Sequence, residues 1–508
     1  MRTFLLAGCL LTGLISIGQK KTDPKSFANT ITSDDLKKHL YIVAGKEMEG
    51  RETATEGQRK AAAYIENYFK SLDLLPGFKG GYQMDFPLYQ DSLVRASIEI
   101  NNKQFEIFKD FTVNLGATNS STLMGGEVVF VGYGYSDSTR DDYKGVDARG
   151  KIVLVLPGVP PTTQNQRRGG GQSAIQEAAL KNGAIAVLSV QINFPRNPTN
   201  LRGSMYFNGF RKINYPNLFT ISENIAREIM GAGYDSAKNV MSTGDPQPRT
   251  YSANVLLSVE KAINKLSSSN VIGYLEGTDK KEEYVVLTAH YDHLGKRNDS
   301  TIFYGADDDG SGTVTILELA EAFTKAKQQG KGPRRSIVFM TVSGEEKGLW
   351  GSAYYGDHPA FPLEKTTANL NIDMIGRTDP KRQKPDSVNY VYVVGDHMLS
   401  SELRPISESM NKKYTKLGLD YKYNEPNDPE RIYYRSDHYN FARKGVPIIF
   451  YFNGTHNDYH RITDTPDKIN YDLMKKRAQL VFYTAWEMAN RNDLLKRDIP
   501  LDAAPRGF

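Results

Sequence analysis

An α/β protein with a mixed, largely parallel central sheet flanked by helices, carrying a smaller inserted β-rich α/β unit, is the fold class this sequence predicts. Three observations predict it. The chain has 508 residues, more than one hydrophobic core normally serves, so two folding units are expected. From about Ala253 to Asn490, strand-type and helix-type segments alternate, the pattern of helices packed on the faces of a parallel sheet. Between about Thr122 and Tyr251 the texture changes to short apolar runs separated by turn-rich segments, as in a unit with its own core.

The N-terminus reads as a leader. Met1-Arg2 precedes an apolar run from Phe4 to Ile17, and small residues Ser16 and Gly18 stand just before Gln19, the order of a secretory signal over residues 1–18. An exported protein, periplasmic or secreted, is expected. Leu6-Ala7-Gly8-Cys9 has the form of a lipoprotein cleavage box, but the residues before it leave almost no apolar core, so anchoring at Cys9 is set aside. Cys9 is the one cysteine, and cleavage after Gly18 removes it. Any metal must then be held by His, Asp and Glu. No other stretch has the apolar length of a membrane span. The formal net charge of +5 is spread along the chain without a basic block, which argues against a nucleic-acid partner. Nothing in the sequence sets an oligomeric state.

A helix is expected from Ser33, with Ser33-Asp34-Asp35 offering a cap. Gln58–Leu72 reads as an amphipathic helix, with Ala62, Ile65, Phe69 and Leu72 at helical spacing. In the insert, Glu127–Val131, Lys151–Val155 and Ala184–Leu188 read as strands and Ala174–Asn182 as a helix. Beyond it, strands are expected at Tyr284–Ala289, Ser336–Val342, Ala368–Met374, Tyr390–Val394 and Val446–Tyr451, and helices at Thr313–Gln329 and Asp472–Arg491. The main unit is thus assigned 33–121 with 252–491, and the insert 122–251.

Polar clusters follow these strands, where a parallel sheet gathers its functional groups. His290-Tyr291-Asp292 suits a ligating histidine and a carboxylate that orients it, since residues i and i+2 share a face. The three carboxylates of Gly305-Ala306-Asp307-Asp308-Asp309-Gly310-Ser311-Gly312 repel, and are tolerable at a helix start or beside a cation. Ser343-Gly344-Glu345-Glu346 and Asn371-Ile372-Asp373 place carboxylates at buried strand ends, where a counter-charge is needed. His456-Asn457-Asp458-Tyr459-His460 follows the last strand. Two histidines and three carboxylates, one of them bridging, suffice for two zinc ions with an open position for water. One of the paired Glu would take the proton from that water. Spacing leaves open which of Asp307, Asp308 and Asp309 bridges.

In this order the segments resemble the motifs of the M28 family of co-catalytic zinc peptidases, with Met48-Glu49-Gly50-Arg51-Glu52-Thr53 and Ser436-Asp437-His438-Tyr439 as further similar stretches. The resemblance implies the zinc exopeptidase fold and two zinc ions. His290 would be a ligand with Asp292 behind it, and Asp308 the bridge. Glu346, Asp373 and His460 would complete the ligand set, and Glu345 would be the general base. It also implies a cis bond at Asp308–Asp309. The activity implied is hydrolysis of terminal bonds in peptide substrates, first as an aminopeptidase. The alternative is a carboxypeptidase or dipeptidase, with Arg377, Arg431 or Arg435 meeting the substrate carboxylate. A non-catalytic binding module would be expected to have lost ligands or base, and this sequence retains them all. The insert resembles a protease-associated (PA) domain at Asp142–Asp147 leading into Gly150–Val155.

Gly145-Val146-Asp147-Ala148-Arg149-Gly150-Lys151 begins like a phosphate loop, but Ile152 and a strand follow where a hydroxyl and a helix are needed. His39, His293, His358, His397 and His438 remain unassigned, most of them as surface or structural residues, with His293 and His438 close to motif positions.

Overall fold

The computed structural model describes residues 23–158, 171–194, 201–209, 213–244, 246–425 and 427–501. The leader 1–18 with Cys9, and most of the Gly-rich loop 167–171, lie outside them. Two compact units are present: Met1–Phe86 with Ser268–Phe508, and Pro87–Ser267. The second unit is therefore larger than the 122–251 expected from texture. Its added residues alternate between exposed positions and buried ones such as Ile98, Ile100, Phe111, Val255 and Leu257, and lack the continuous apolar runs that marked the insert. They nonetheless pair within it: Tyr89 and Gln90 stand opposite Tyr206 and Met205, and Val255–Val259 run antiparallel to Ser121–Gly125.

In the first unit, four parallel strands lie side by side: Arg335–Val342, Lys280–His290, Thr366–Ile372 and Ile448–Phe452. Residues 271–275 run antiparallel to the first of these, and Tyr390–Val394 antiparallel to the last. The strands Arg335–Val342, Thr366–Ile372 and Ile448–Phe452 are buried along their whole length, as a parallel sheet covered on both faces requires. Alternate residues serve alternate cores. Val285, Leu287, Ile337 and Phe339 join Leu40, Ile65, Phe69, Phe323, Phe482 and Trp486 from the helices on one face. Val286, Val338, Met340 and Val342 join Tyr355, Phe441 and Phe450 on the other.

The helix starting at Ser33 runs to Val43, but its cap is Thr32, whose side chain accepts from the Asp35 N–H at 3.0 Å. The next helix, Glu56–Ser71, begins two residues before the expected Gln58 because Thr55 caps it through the Gln58 N–H. Gly312–Gln328 and Tyr471–Asn490 are the long helices predicted near those limits.

In the second unit, Ser121–Phe130, Ile152–Val155, Ala186–Val190 and Asn217–Ile221 form consecutive parallel pairs, with Phe111–Val113 antiparallel at the edge. Its helices are Gly171–Lys181, Glu223–Met230 and Gly233–Thr243, and it has cores of its own. Among the described residues no helix is long and apolar enough to cross a membrane.

Candidate metal centre

The four parallel strands end at one level, with His290 opposite Val342, Thr288 opposite Asn371, and Ile372 opposite Tyr451. The clusters at His290, Glu345-Glu346 and Asp373 and the loop carrying His460 therefore leave the sheet at the same end. His290 is the last residue of its strand, Glu345 and Glu346 follow Val342 through Gly344, and Asp373 follows Ile372. His460 stands in the loop after Phe452 in a left-handed conformation, φ 57°. The Asp run forms a wide helical turn, Ala306–Ser311, leading into Gly312–Gln328, and the Asp308–Asp309 bond is cis. Gly305, at φ 56°, starts this turn; a Cβ there would strike the Asp308 carbonyl and the His293 ring.

All seven residues singled out from the sequence come together, and five of them, His290, Asp308, Glu346, Asp373 and His460, form two groups sharing Asp308. In the first, His290 Nε2 lies 3.3 Å from Asp308 Oδ1 and 3.7 Å from Asp373 Oδ1. In the second, His460 Nε2 lies 3.1 Å from both Asp308 Oδ2 and Glu346 Oε2. His293 joins the second set, with Nδ1 2.7 Å from Glu346 Oε1 and 3.8 Å from Asp308 Oδ2.

These donors fit a metal. His290 Nε2, both ring nitrogens of His293, Asp308 Oδ2 and Glu346 Oε1 are buried and, beyond the close approaches within these two groups, have no hydrogen-bond partner among the described residues, an arrangement that is costly without a counter-charge. The two groups His290, Asp308, Asp373 and His293, Asp308, Glu346 each bring one donor atom per residue within 4.8 Å of the others. Tetrahedral bonds of about 2.0–2.2 Å set donors about 3.3 Å apart, close to the spacing found here.

The surrounding contacts hold the donors in place. His290 Nδ1 faces the Asp292 carbonyl at 3.1 Å. A carbonyl only accepts, so Nδ1 carries a proton, which leaves Nε2 as the ring atom that a metal would take. The Asp292 carboxylate itself stands farther off, 3.7 Å from Nδ1. It accepts instead from the Glu345 N–H at 3.2 Å and the Thr53 hydroxyl at 2.7 Å. Asp292 thus orients His290 through its main chain and Glu345 through its side chain. Ser436 donates to Asp373 Oδ2 at 2.6 Å. Asp309 accepts from the His290, Gly312 and Met374 N–H groups, and Asp464 from those of Asp307 and Asp308. Arg51 is fully buried, and its guanidinium donates to the carbonyls of Val43, Tyr291, Tyr304 and Gly305 at 2.7–2.9 Å.

The two central carboxylates differ in character. Burial pushes the Glu345 carboxyl well above its usual range; Glu346, Asp373 and Asp437 add to the push and His290 opposes it. Burial acts the same way on Asp308, but His290, His460 and His293 outweigh it and hold that carboxyl well below. Carboxylates pushed apart in this manner suit a proton acceptor and a permanent anion. Glu345, at 3.9 Å from His290 Nε2, lines a cavity with Asp308, Asp373, Arg435, Thr455 and Tyr459, walled by Met374, Ile432, Phe450 and Phe452. Of the three arginines considered for a substrate carboxylate, Arg377 is paired with Asp458 at 3.0 Å and Arg431 lies over the Tyr434 ring. Arg435 alone of the three lines this cavity.

The architecture is that of solved aminopeptidases. The aminopeptidase from Aneurinibacillus sp. strain AM-1 superimposes with a TM-score of 0.55 at 18% identity, covering 95% of this chain and 100% of that one. The zinc aminopeptidase BSAP from Bacillus subtilis does so with 0.51 at 18% identity, covering 93% and 98%. Residues 270–485 match the model of Peptidase family M28. A probable leucine aminopeptidase of Arthroderma otae is 30% identical over 239 residues, 46% of this chain and 61% of the relative. A probable zinc metalloprotease of Pyrenophora tritici-repentis is 26% identical over 274 residues, 46% and 54%. The chain thus matches little more than half the length of these curated relatives.

Proposed function

We propose that this protein is a zinc-dependent aminopeptidase that holds two metal ions and removes apolar residues from the N-terminus of peptides. The observation that carries the proposal is the pair of donor sets sharing Asp308, with Glu345 beside them on an apolar-walled cavity. His290 and Asp373 would hold one ion, Glu346 and His460 the other, with Asp308 between them. Zinc held there supplies a Lewis acid for the scissile carbonyl and lowers the pKa of water. Glu345 takes the proton of the attacking water on its carboxylate and delivers it to the leaving amine nitrogen. Asp292, through the Glu345 N–H, fixes where that carboxylate stands. Met374, Ile432, Phe450 and Phe452 offer an apolar first side chain a surface from which water is excluded, in keeping with relatives named leucine aminopeptidase. Export belongs to the same proposal and rests on the charge and apolar order of residues 1–18.

The test is a panel of aminoacyl and N-blocked peptides, assayed with and without a chelator. Rapid release of Leu from unblocked peptides, abolished by chelation and restored by zinc, is expected. Undiminished hydrolysis in excess chelator, or a preference for N-blocked substrates, would overturn the assignment.

A further inference from the structure

We infer that Arg435 receives a carboxylate of the substrate, so that this site favours peptides carrying a free carboxylate within reach of the cavity mouth. This rests on the peptidase function proposed above and adds a substrate class to it.

Among the described residues, Arg435 is the one basic residue lining the cavity that also exposes Asp308, Glu345 and Asp373. The other charged groups described on that wall are acidic, so among the described residues an incoming carboxylate meets no second side-chain cation there. The guanidinium is exposed and among the described residues forms no ion pair; its one hydrogen bond runs from Nη2 to the Tyr459 hydroxyl at 3.3 Å. Its place is nevertheless well defined. Three residues before it, Ile432 forms part of the apolar wall, and immediately after it Ser436 donates to Asp373 at 2.6 Å. Tyr459, which accepts from Arg435, stacks on His460 with ring centroids 3.8 Å apart. The backbone on both sides of Arg435 is thus tied to the donor sets, while the planar fork at its tip keeps donors to offer. That fork matches a carboxylate in two parallel hydrogen bonds. Two parts of a peptide could supply it: the α-carboxylate of a dipeptide, or the side chain of an acidic first residue.

Zinc-loaded wild-type protein and Arg435→Gln are compared on Leu-Leu, Leu-Leu-amide and Glu-Leu-amide, with N-acetyl-Leu-Leu and its amide as blocked controls. In the variant we expect kcat/KM to fall about tenfold, through KM, for the substrate bearing the recognised carboxylate. A fall confined to Leu-Leu identifies the α-carboxylate, and one confined to Glu-Leu-amide identifies the side chain. An equal fall on all three substrates would assign Arg435 to positioning Tyr459 and overturn the inference, as would no change on any. If the N-acetyl pair is cleaved and the unblocked peptides are not, the aminopeptidase proposal fails, and Arg435 is judged by the ratio of acid to amide in the blocked pair. If nothing is cleaved, calorimetric binding of Leu-Leu decides. Affinity about tenfold weaker in Arg435→Gln supports the inference, and equal affinity overturns it.

Discussion

At the scale of single residues, the centre assigns unlike tasks to like groups. Glu345 and Glu346 are neighbours in the chain, yet one faces the cavity and the other faces His460 and His293. Glu345→Gln should keep metal content, measured by atomic absorption, while kcat falls about 10²–10⁴-fold; near-wild-type turnover would remove Glu345 as the base. Asp373→Ala should lose the ion of the His290 set and keep that of the Glu346 set, so a stoichiometry unchanged from wild type would exclude Asp373 as a ligand. His293→Ala should weaken metal affinity about 10–100-fold, as expected when a group that orients a ligand is removed. The sequence made the His290, Asp308, Glu346, Asp373 and His460 grouping legible because each residue stands at or beyond the end of a strand or in a motif of recognisable order. It left His293 unassigned for a physical reason. Alternation within an extended segment puts residues 290 and 292 on one face and 293 on the other, but the strand stops at His290 and the chain turns, bringing His293 back to the carboxylates. Arg51 was equally hidden, since nothing local distinguishes a guanidinium enclosed by four carbonyls from one in water.

Among the elements, the helix Gly312–Gln328 connects the Asp-rich turn to the core. Its Phe323 is fully buried and packs against Phe339, Phe482 and Trp486. Phe323→Ala should cost about 3–5 kcal/mol in denaturant unfolding. The same helix carries a buried carboxyl, Glu318, pushed up to about 8 by burial, with Glu321 and Asp35 adding to it. Raised above its unfolded value, this group stabilises the fold through its proton. The contribution is fully present below the unfolded pKa of about 4.5 and is lost as pH rises through about 8. Glu318→Gln should therefore flatten the decline of Tm between pH 6 and 9, and an unaltered decline would exclude this carboxyl as its source. The long helices and parallel strands were legible from periodicity to within a few residues. Thr32 was missed as a cap because Ser33, Asp34 and Asp35 are chemically as well suited, and only the backbone geometry selects among them.

Over the whole molecule, the two units have separate hydrophobic cores, whereas the seven proposed site residues all belong to one of them. A metal that binds only the folded form raises its stability by about 2.7 kcal/mol at a concentration 100 times its Kd. Chelation should accordingly lower the calorimetric transition of the unit containing residues 268–501 and leave that of Pro87–Ser267 in place. Equal shifts in both transitions would contradict the assignment of the ligands to one unit. The limits of these units were less legible than the centre, because residues 87–121 and 252–267 pair as strands without the apolar runs that mark a core.

Arg51 gives this arrangement a direction in time. Its partners Tyr291, Tyr304 and Gly305 lie 240 to 254 positions later in the chain. At roughly 5–20 residues per second, the ribosome delivers Tyr291 about 12–48 s after Arg51. The residues between 87 and 267 have time to settle as a unit while this arginine still lacks three of its four carbonyls. Asp464, 157 positions beyond Asp307, and the helix Tyr471–Asn490 emerge later still. A nascent chain halted before residue 460 would thus hold an arginine and a cluster of carboxylates with neither the His460 imidazole nor the closing helix, so the proposed metal centre is completed only after those residues emerge.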